Sequence, residues 1–182
     1  MNPEESTLSK QIEAKVHNLF VTRQLYCSEA VLVTLNESFG GGLSRSQAVA
    51  LAAPFAEGQG RSGCLCGAIG GGLLALGLFL AQPGPYRKRR QVQAAAAELN
   101  SLFSARYGAT CCRVITRKLE RYSEAHMTHC AEITATTAAL TAGLILSRRP
   151  SLAGCADTCF LNRHATVWTA FLKRLGRKFV SR

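Results

Sequence analysis

No CxxC pair occurs in this sequence, and neither does CxxCH, a Walker loop, HExxH or GxSxG. These absences remove the motif signatures of c-type haem attachment, P-loop nucleotide chemistry, zincin proteolysis and nucleophile-elbow hydrolysis. Nor do paired carboxylates suggest a general acid and base. Charged residues are scarce, at 18% of the 182 positions, against about a quarter in ordinary globular chains. The deficit implies a large buried fraction or a surface that meets something apolar. Strand-like alternation and internal repeats are absent too. The first residues, 1–9, are polar and acidic without an apolar core, which is not a secretory leader and leads us to expect a reducing cytoplasm.

What is present is thiol and positive charge. Eight cysteines and a net charge of +11 accompany a 47% hydrophobic composition. The length suits a single well-cored domain, and we expect a four-cysteine helical domain over 1–150. A basic helical extension over 151–182 would pack on it. In a reducing compartment, cysteine clusters are more often metal-binding or catalytic than structural disulfides. The basic blocks Arg87–Arg90 and Lys173–Arg182 carry no nucleic-acid motif. They are therefore read as solvated surface, with peripheral contact to anionic lipid as the rival.

Periodicity predicts an all-α fold. Ile12, Val16, Leu19 and Phe20 mark a first amphipathic helix over 8–22, and a second follows over 28–37. Gly40, Gly41 and Gly42 break the chain, and Ser44 caps a third helix over 46–56. Gly58, Gly60 and Gly63 make 57–63 a loop able to take unusual backbone angles. Residues 63–86 contain no charge and reach the ~18 residues at which a membrane span becomes a candidate. Their glycines favour a buried central helix, able also to support a homodimer by close approach. Helices are expected over 87–106 and, after an N-cap at Ser123, from there to 147. A short helix or turn over 110–119 precedes that cap. A last basic amphipathic helix is expected over 161–180, with Val167, Trp168, Phe171, Leu172 and Leu175 on one face.

Four cysteines stand out by setting. Cys27 precedes the second helix and Cys66 the glycine-rich one, where helix N-termini favour anions. Gly67 and Gly70 leave the Cys66 neighbourhood open to another backbone, a metal or a ligand. Cys112 adjoins Arg113, a cation that lowers a thiol pKa. Cys130 follows His129 on the long helix. Accessory donors are His129 and the pair Cys155 and Cys159, which would share a face on a helix and could be joined by His164. Cys64 and Cys111 each adjoin a favoured cysteine and are expected to point elsewhere.

In their order, these pieces resemble the redox-active family named for its C–GCAxxG–C–C cysteine pattern. Tyr26-Cys27-Ser28-Glu29-Ala30-Val31 carries the first cysteine. Gly58-Gln59-Gly60-Arg61 leads into Cys66-Gly67-Ala68-Ile69-Gly70-Gly71, and Cys112-Arg113 and Cys130 complete the set. The resemblance covers roughly Lys15 to Leu146. It implies a small helical domain with a redox role, encoded beside transport genes, and a related domain in a multihaem cytochrome carries an iron–sulfur-type centre. The chain departs from the pattern in Cys64, Cys111, Cys155, Cys159 and the basic extension. We therefore expect Cys27, Cys66, Cys112 and Cys130 to hold an iron–sulfur cluster or another thiophilic metal, serving an electron-transfer or transport partner. Rival readings are metal-free disulfide cycling and a membrane-associated accessory protein.

Overall fold

The computed structural model describes residues 3–81 and 89–170, and within them the fold is all-α. Helix α1 (Pro3–Val21) buries Leu8, Ile12, Val16 and Leu19 along one stripe and lies against the long α8 (Glu124–Arg148). Helix α2 (Cys27–Phe39) is buried on nearly every side, as befits a helix at the centre of a domain. It starts where the Tyr26 amide donates to the Glu29 carboxylate at 2.9 Å and stops at Gly40, whose φ is +63°. Asn36 near its end holds the following loop by both backbone groups of Leu43, at 2.8 and 3.1 Å.

Helix α3 (Arg45–Ala52) opens with a capping box. Ser44 accepts from the Gln47 amide and donates its own amide to the Gln47 side chain. A 3₁₀ turn (Ala53–Phe55) and the short α4 (Ala56–Gln59) lead to α5 (Gly67–Leu80). Helix α5 packs against α2, α8 and α6 (Arg89–Tyr107). Two glycines set its distance from α2. A Cβ on Gly71 would lie 2.4 Å from the Ser28 carbonyl oxygen, and one on Gly67 would lie 2.4 Å from the Cys27 sulfur. Helix α6 contributes Ala95, Leu99 and Phe103, spaced by four, to the core. Helix α8 presents small residues, and its buried Thr134, Thr137 and Thr141 hydroxyls donate to carbonyls one turn back.

The uncharged stretch over 63–86 forms a 14-residue helix within its described part, short of the ~20 residues that cross a bilayer. Among the described residues the helix with the length and apolarity to do so is α8, and 61% of its apolar window is buried in the fold. The second difference from expectation is at the C-terminal end. A continuous helix over 161–180 does not form: α9 (Thr158–Asn162) ends at Arg163, and residues 163–166 are non-helical. Asn18 explains the break. Its amide donates to the Ala165 carbonyl at 2.8 Å and its oxygen accepts from the Ala165 amide at 3.0 Å, while Lys15 donates to the Arg163 carbonyl. Two backbone bonds to the half-buried Asn18 replace the helical bonds locally. Val167 and Trp168 remain 65% and 76% exposed, and the rest of that expected face lies outside the described residues.

Packing by glycine gives a stability test. Gly71→Ala places a methyl into backbone and should destabilise by about 1–3 kcal/mol. Gly77→Ala, on the same helix with nothing within 4 Å of the new methyl, should stabilise by about 0.5–1 kcal/mol. Denaturant unfolding of the two variants checks this, and equal effects of the same sign would contradict the packing described.

Candidate functional site

Four separate segments deliver the four expected cysteines to one cavity of about 890 Å³. Cys27 is the first residue of α2, and Cys66 occupies the N-cap of α5. Both sulfurs accept backbone N–H groups. Cys27 takes those of Ser28 and Glu57, and Cys66 takes that of Ala68. Cys112 opens the short α7 (Cys112–Ile115), and Cys130 projects from the second turn of α8.

Cys66 and Cys112 meet through the backbone. An isolated antiparallel bridge joins Leu65 to Cys111. The Cys66 amide donates to the Thr110 carbonyl at 2.7 Å, and the Cys112 amide donates to the Cys64 carbonyl at 2.7 Å. The extended pairing also disposes of the neighbouring thiols. Cys64 is exposed, and neither it nor Cys111 lines the cavity.

The wall between Cys27 and Cys112 is a strained turn. Glu57, Gly58, Gln59, Gly60 and Arg61 all have positive φ, between +54° and +75°, so five residues in a row wind left-handed. Non-glycine residues pay about 1–2 kcal/mol each for that conformation, and three of the five carry side chains. The turn is held at both ends. The Glu57 carboxylate accepts from Arg61 Nε at 2.7 Å and from the Tyr122 hydroxyl at 2.9 Å, while Ser62 donates to the Gly58 carbonyl. At Gly58 a Cβ would sit 2.8 Å from that of Cys112, so glycine is needed there for space as well as for φ. Arg23 and Tyr122 are also left-handed and also line the cavity. Strain concentrated beside one pocket is a feature of functional sites.

Burial disfavours the charged form of every thiol in this cavity. Burial pushes the Cys27 thiol up, opposed by the N–H bonds of Glu57 and Ser28, with the Cys112 sulfur adding to the rise. Burial raises Cys66 far above the thiol range, and Cys27, Cys112 and Cys130 each add to it. Cys130 is pushed up to about 12, by burial first and then by Cys112 and Cys27. Cys112 also rises by burial. The cation that opposes this is Arg121, where sequence adjacency had suggested Arg113. These mutual influences place the four sulfurs within one electrostatic neighbourhood.

Of the accessory donors, His129 lies outside. It lines a second cavity with His17 and His164. Cys155 ends a 3₁₀ turn (Pro150–Cys155) and Cys159 sits in α9, both exposed and on different elements. Gly67 and Gly70 work as spacers: a Cβ on Gly70 would lie 2.8 Å from the Phe55 ring. Arg113 lines the cavity with Arg23, Arg61, Arg117 and Arg121. The residue that sequence reasoning placed near Cys130 but left out of the site is His126. It reads as the third residue of a capped helix, and its amide does donate to Ser123 Oγ at 3.2 Å. Its ring, however, stands 3.9 Å from the Cys130 sulfur through Nε2, and its Nδ1 is buried without a partner. The signal was the i,i+4 spacing to Cys130, which stacks two side chains on one helix face.

Among the described residues, no three His, Cys, Asp or Glu side chains are gathered as a ready-made group for a metal ion. The donor chemistry nonetheless fits a thiophilic centre. Four thiols share one cavity, burial opposes the ionisation of each, neighbouring sulfurs add to it at Cys27, Cys66 and Cys130, and a cationic centre would offset both costs.

Two measurements follow. Peptide mapping after iodoacetamide treatment of metal-free protein near neutral pH should find Cys64, Cys155 and Cys159 modified first. Cys66 and Cys130 should lag well behind, since the thiolate is the nucleophile; prompt labelling of Cys66 would contradict the buried placement. Partial burial works to raise the Glu57 carboxyl, but the bonds from Arg61 and Tyr122 outweigh it and leave it below the usual carboxylate value. A depressed folded pKa contributes stability above the unfolded value that is lost as pH falls through the folded one. The melting-temperature gap between the wild type and Glu57→Gln should therefore be present at neutral pH and close on acidification below about pH 4. A gap constant across that range would show that the carboxylate does not hold the turn.

The cysteine order and the cavity agree with what comparison with known proteins finds. The family model described as "putative redox-active protein (C_GCAxxG_C_C)" matches residues 25–144. That span contains all four cavity cysteines and excludes Cys155 and Cys159. No curated protein and no solved structure matches the chain. The chain belongs to the redox-active C–GCAxxG–C–C family.

Proposed function

We propose that the four thiols Cys27, Cys66, Cys112 and Cys130 together hold an iron–sulfur cluster, and that the protein transfers or senses electrons through it. The observation that supports this most is the shared cavity, lined by all four thiols, with Cys66 buried and Cys27, Cys112 and Cys130 half-buried. Metal-free disulfide chemistry needs an accessible, acidified thiol. These thiols are shifted the opposite way, so their ionisation calls for bound positive charge.

When bound, such a centre supplies one-electron redox chemistry. The chain's own part is to set its potential and its access. The N–H groups of Ser28 and Glu57 point at the Cys27 sulfur and that of Ala68 at the Cys66 sulfur. Hydrogen bonds of this kind stabilise negative charge on sulfur. Phe20, Leu25 and Ile133 supply apolar wall beside the sulfurs, and such surface lowers the local polarity that tunes a centre's potential. The arginines at its edge, of which only Arg61 forms an ion pair among the described residues, favour an acidic electron-transfer partner.

Anaerobic purification followed by iron and acid-labile sulfide analysis, with a visible spectrum, tests the reading. Stoichiometric iron and sulfide are expected, both lost when Cys27, Cys66, Cys112 and Cys130 are together changed to Ser. A colourless, metal-free wild type with exchange-active thiols would assign the protein to disulfide chemistry.

A further inference from the structure

Four thiolates would suffice for a cluster, yet the cavity holds a fifth donor. His126 sits one helical turn before Cys130, and its Nε2 is 3.9 Å from the Cys130 sulfur. The ring is wedged edge-on to Tyr122, with centroids 6.3 Å apart. Tyr122 is in turn fixed by its hydroxyl bond to Glu57. The other ring nitrogen, Nδ1, is shut off from water and bonded to nothing. An imidazole has one N–H and one lone pair. With the proton on the enclosed Nδ1, the lone pair lies on Nε2, the nitrogen beside the Cys130 sulfur.

We propose that His126 is an alternative donor for the position served by Cys130, so that nitrogen and sulfur on one face of α8 compete for the same iron. This rests on the cluster reading above and adds a residue that the family's cysteine pattern does not contain. The exchange is a ligand substitution without electron transfer: the Cys130 sulfur leaves the metal and takes up a proton, and the imidazole lone pair takes its place. Nitrogen ligation removes one negative charge from the centre. It should raise the reduction potential, as two histidines do in Rieske centres.

The test compares four variants purified anaerobically, with iron and sulfide content as the first readout and helical circular dichroism as the control for folding. Cys130→Ala and His126→Ala should each retain the centre, whereas the double variant should lose it as completely as Cys66→Ala does. The reduced Cys130→Ala protein should also show a nitrogen hyperfine coupling that changes on ¹⁵N-histidine labelling, together with a higher potential than His126→Ala. Loss of the centre in Cys130→Ala alone, to the level of Cys66→Ala, would overturn the proposal, as would a retained centre without nitrogen coupling. A wild type that binds neither iron nor sulfide would sink the cluster reading itself and this inference with it. That result is separable because it appears before any variant is made.

Discussion

The site depends on how closely α5 can lie against α2. Gly67 and Gly71 bring the start of one helix onto the start of the other, with the Cys27 sulfur and the Ser28 carbonyl where side chains would otherwise stand. That contact puts two helix N-termini side by side, and with them Cys27 and Cys66. Everything else in the cavity is arranged around this pair. The Leu65–Cys111 bridge adds Cys112, and packing of α8 on α2 and α5 adds Cys130. A side chain at either glycine would separate the sulfurs as well as the helices.

The left-handed turn over 57–61 connects the parts. Its first residue donates its amide to the Cys27 sulfur and binds Arg61 and Tyr122 through its carboxylate. Tyr122 meets His126, and His126 meets Cys130. A chain of contacts therefore runs from the first cysteine to the last through a segment under backbone strain. Such a frame holds its donors in place before anything binds, which lowers the reorganisation that binding requires. It also explains why a carboxylate that touches none of the sulfurs with its side chain belongs to the site.

Much of this was legible in the sequence, for identifiable reasons. Helix positions followed from apolar spacing and caps: Ser44 and Ser123 cap as expected, and Gly40 terminates α2. The four cysteines were singled out by helix starts, glycines and order, and the structure brings those four together. What stayed hidden depends on tertiary contact. Nothing local in Glu57, Gln59 or Arg61 announces a left-handed conformation, since only the flanking glycines favour it. His126 was masked by a second role at the helix start. The break after Asn162 is made by Asn18, far away in sequence. The thiol shifts also ran against the local argument. Helix termini and Arg113 predicted acidified sulfurs, but burial dominates at Cys112 and Cys66, joined at Cys66 by repulsion from the other sulfurs.

The central claim is that these four segments surround one metal–sulfur centre. Iron K-edge X-ray absorption on anaerobically prepared protein tests it most directly. The account predicts a first shell dominated by sulfur at about 2.3 Å, the usual metal–thiolate distance, with a second shell of iron scatterers. A first shell of oxygen and nitrogen without iron–iron scattering would contradict it.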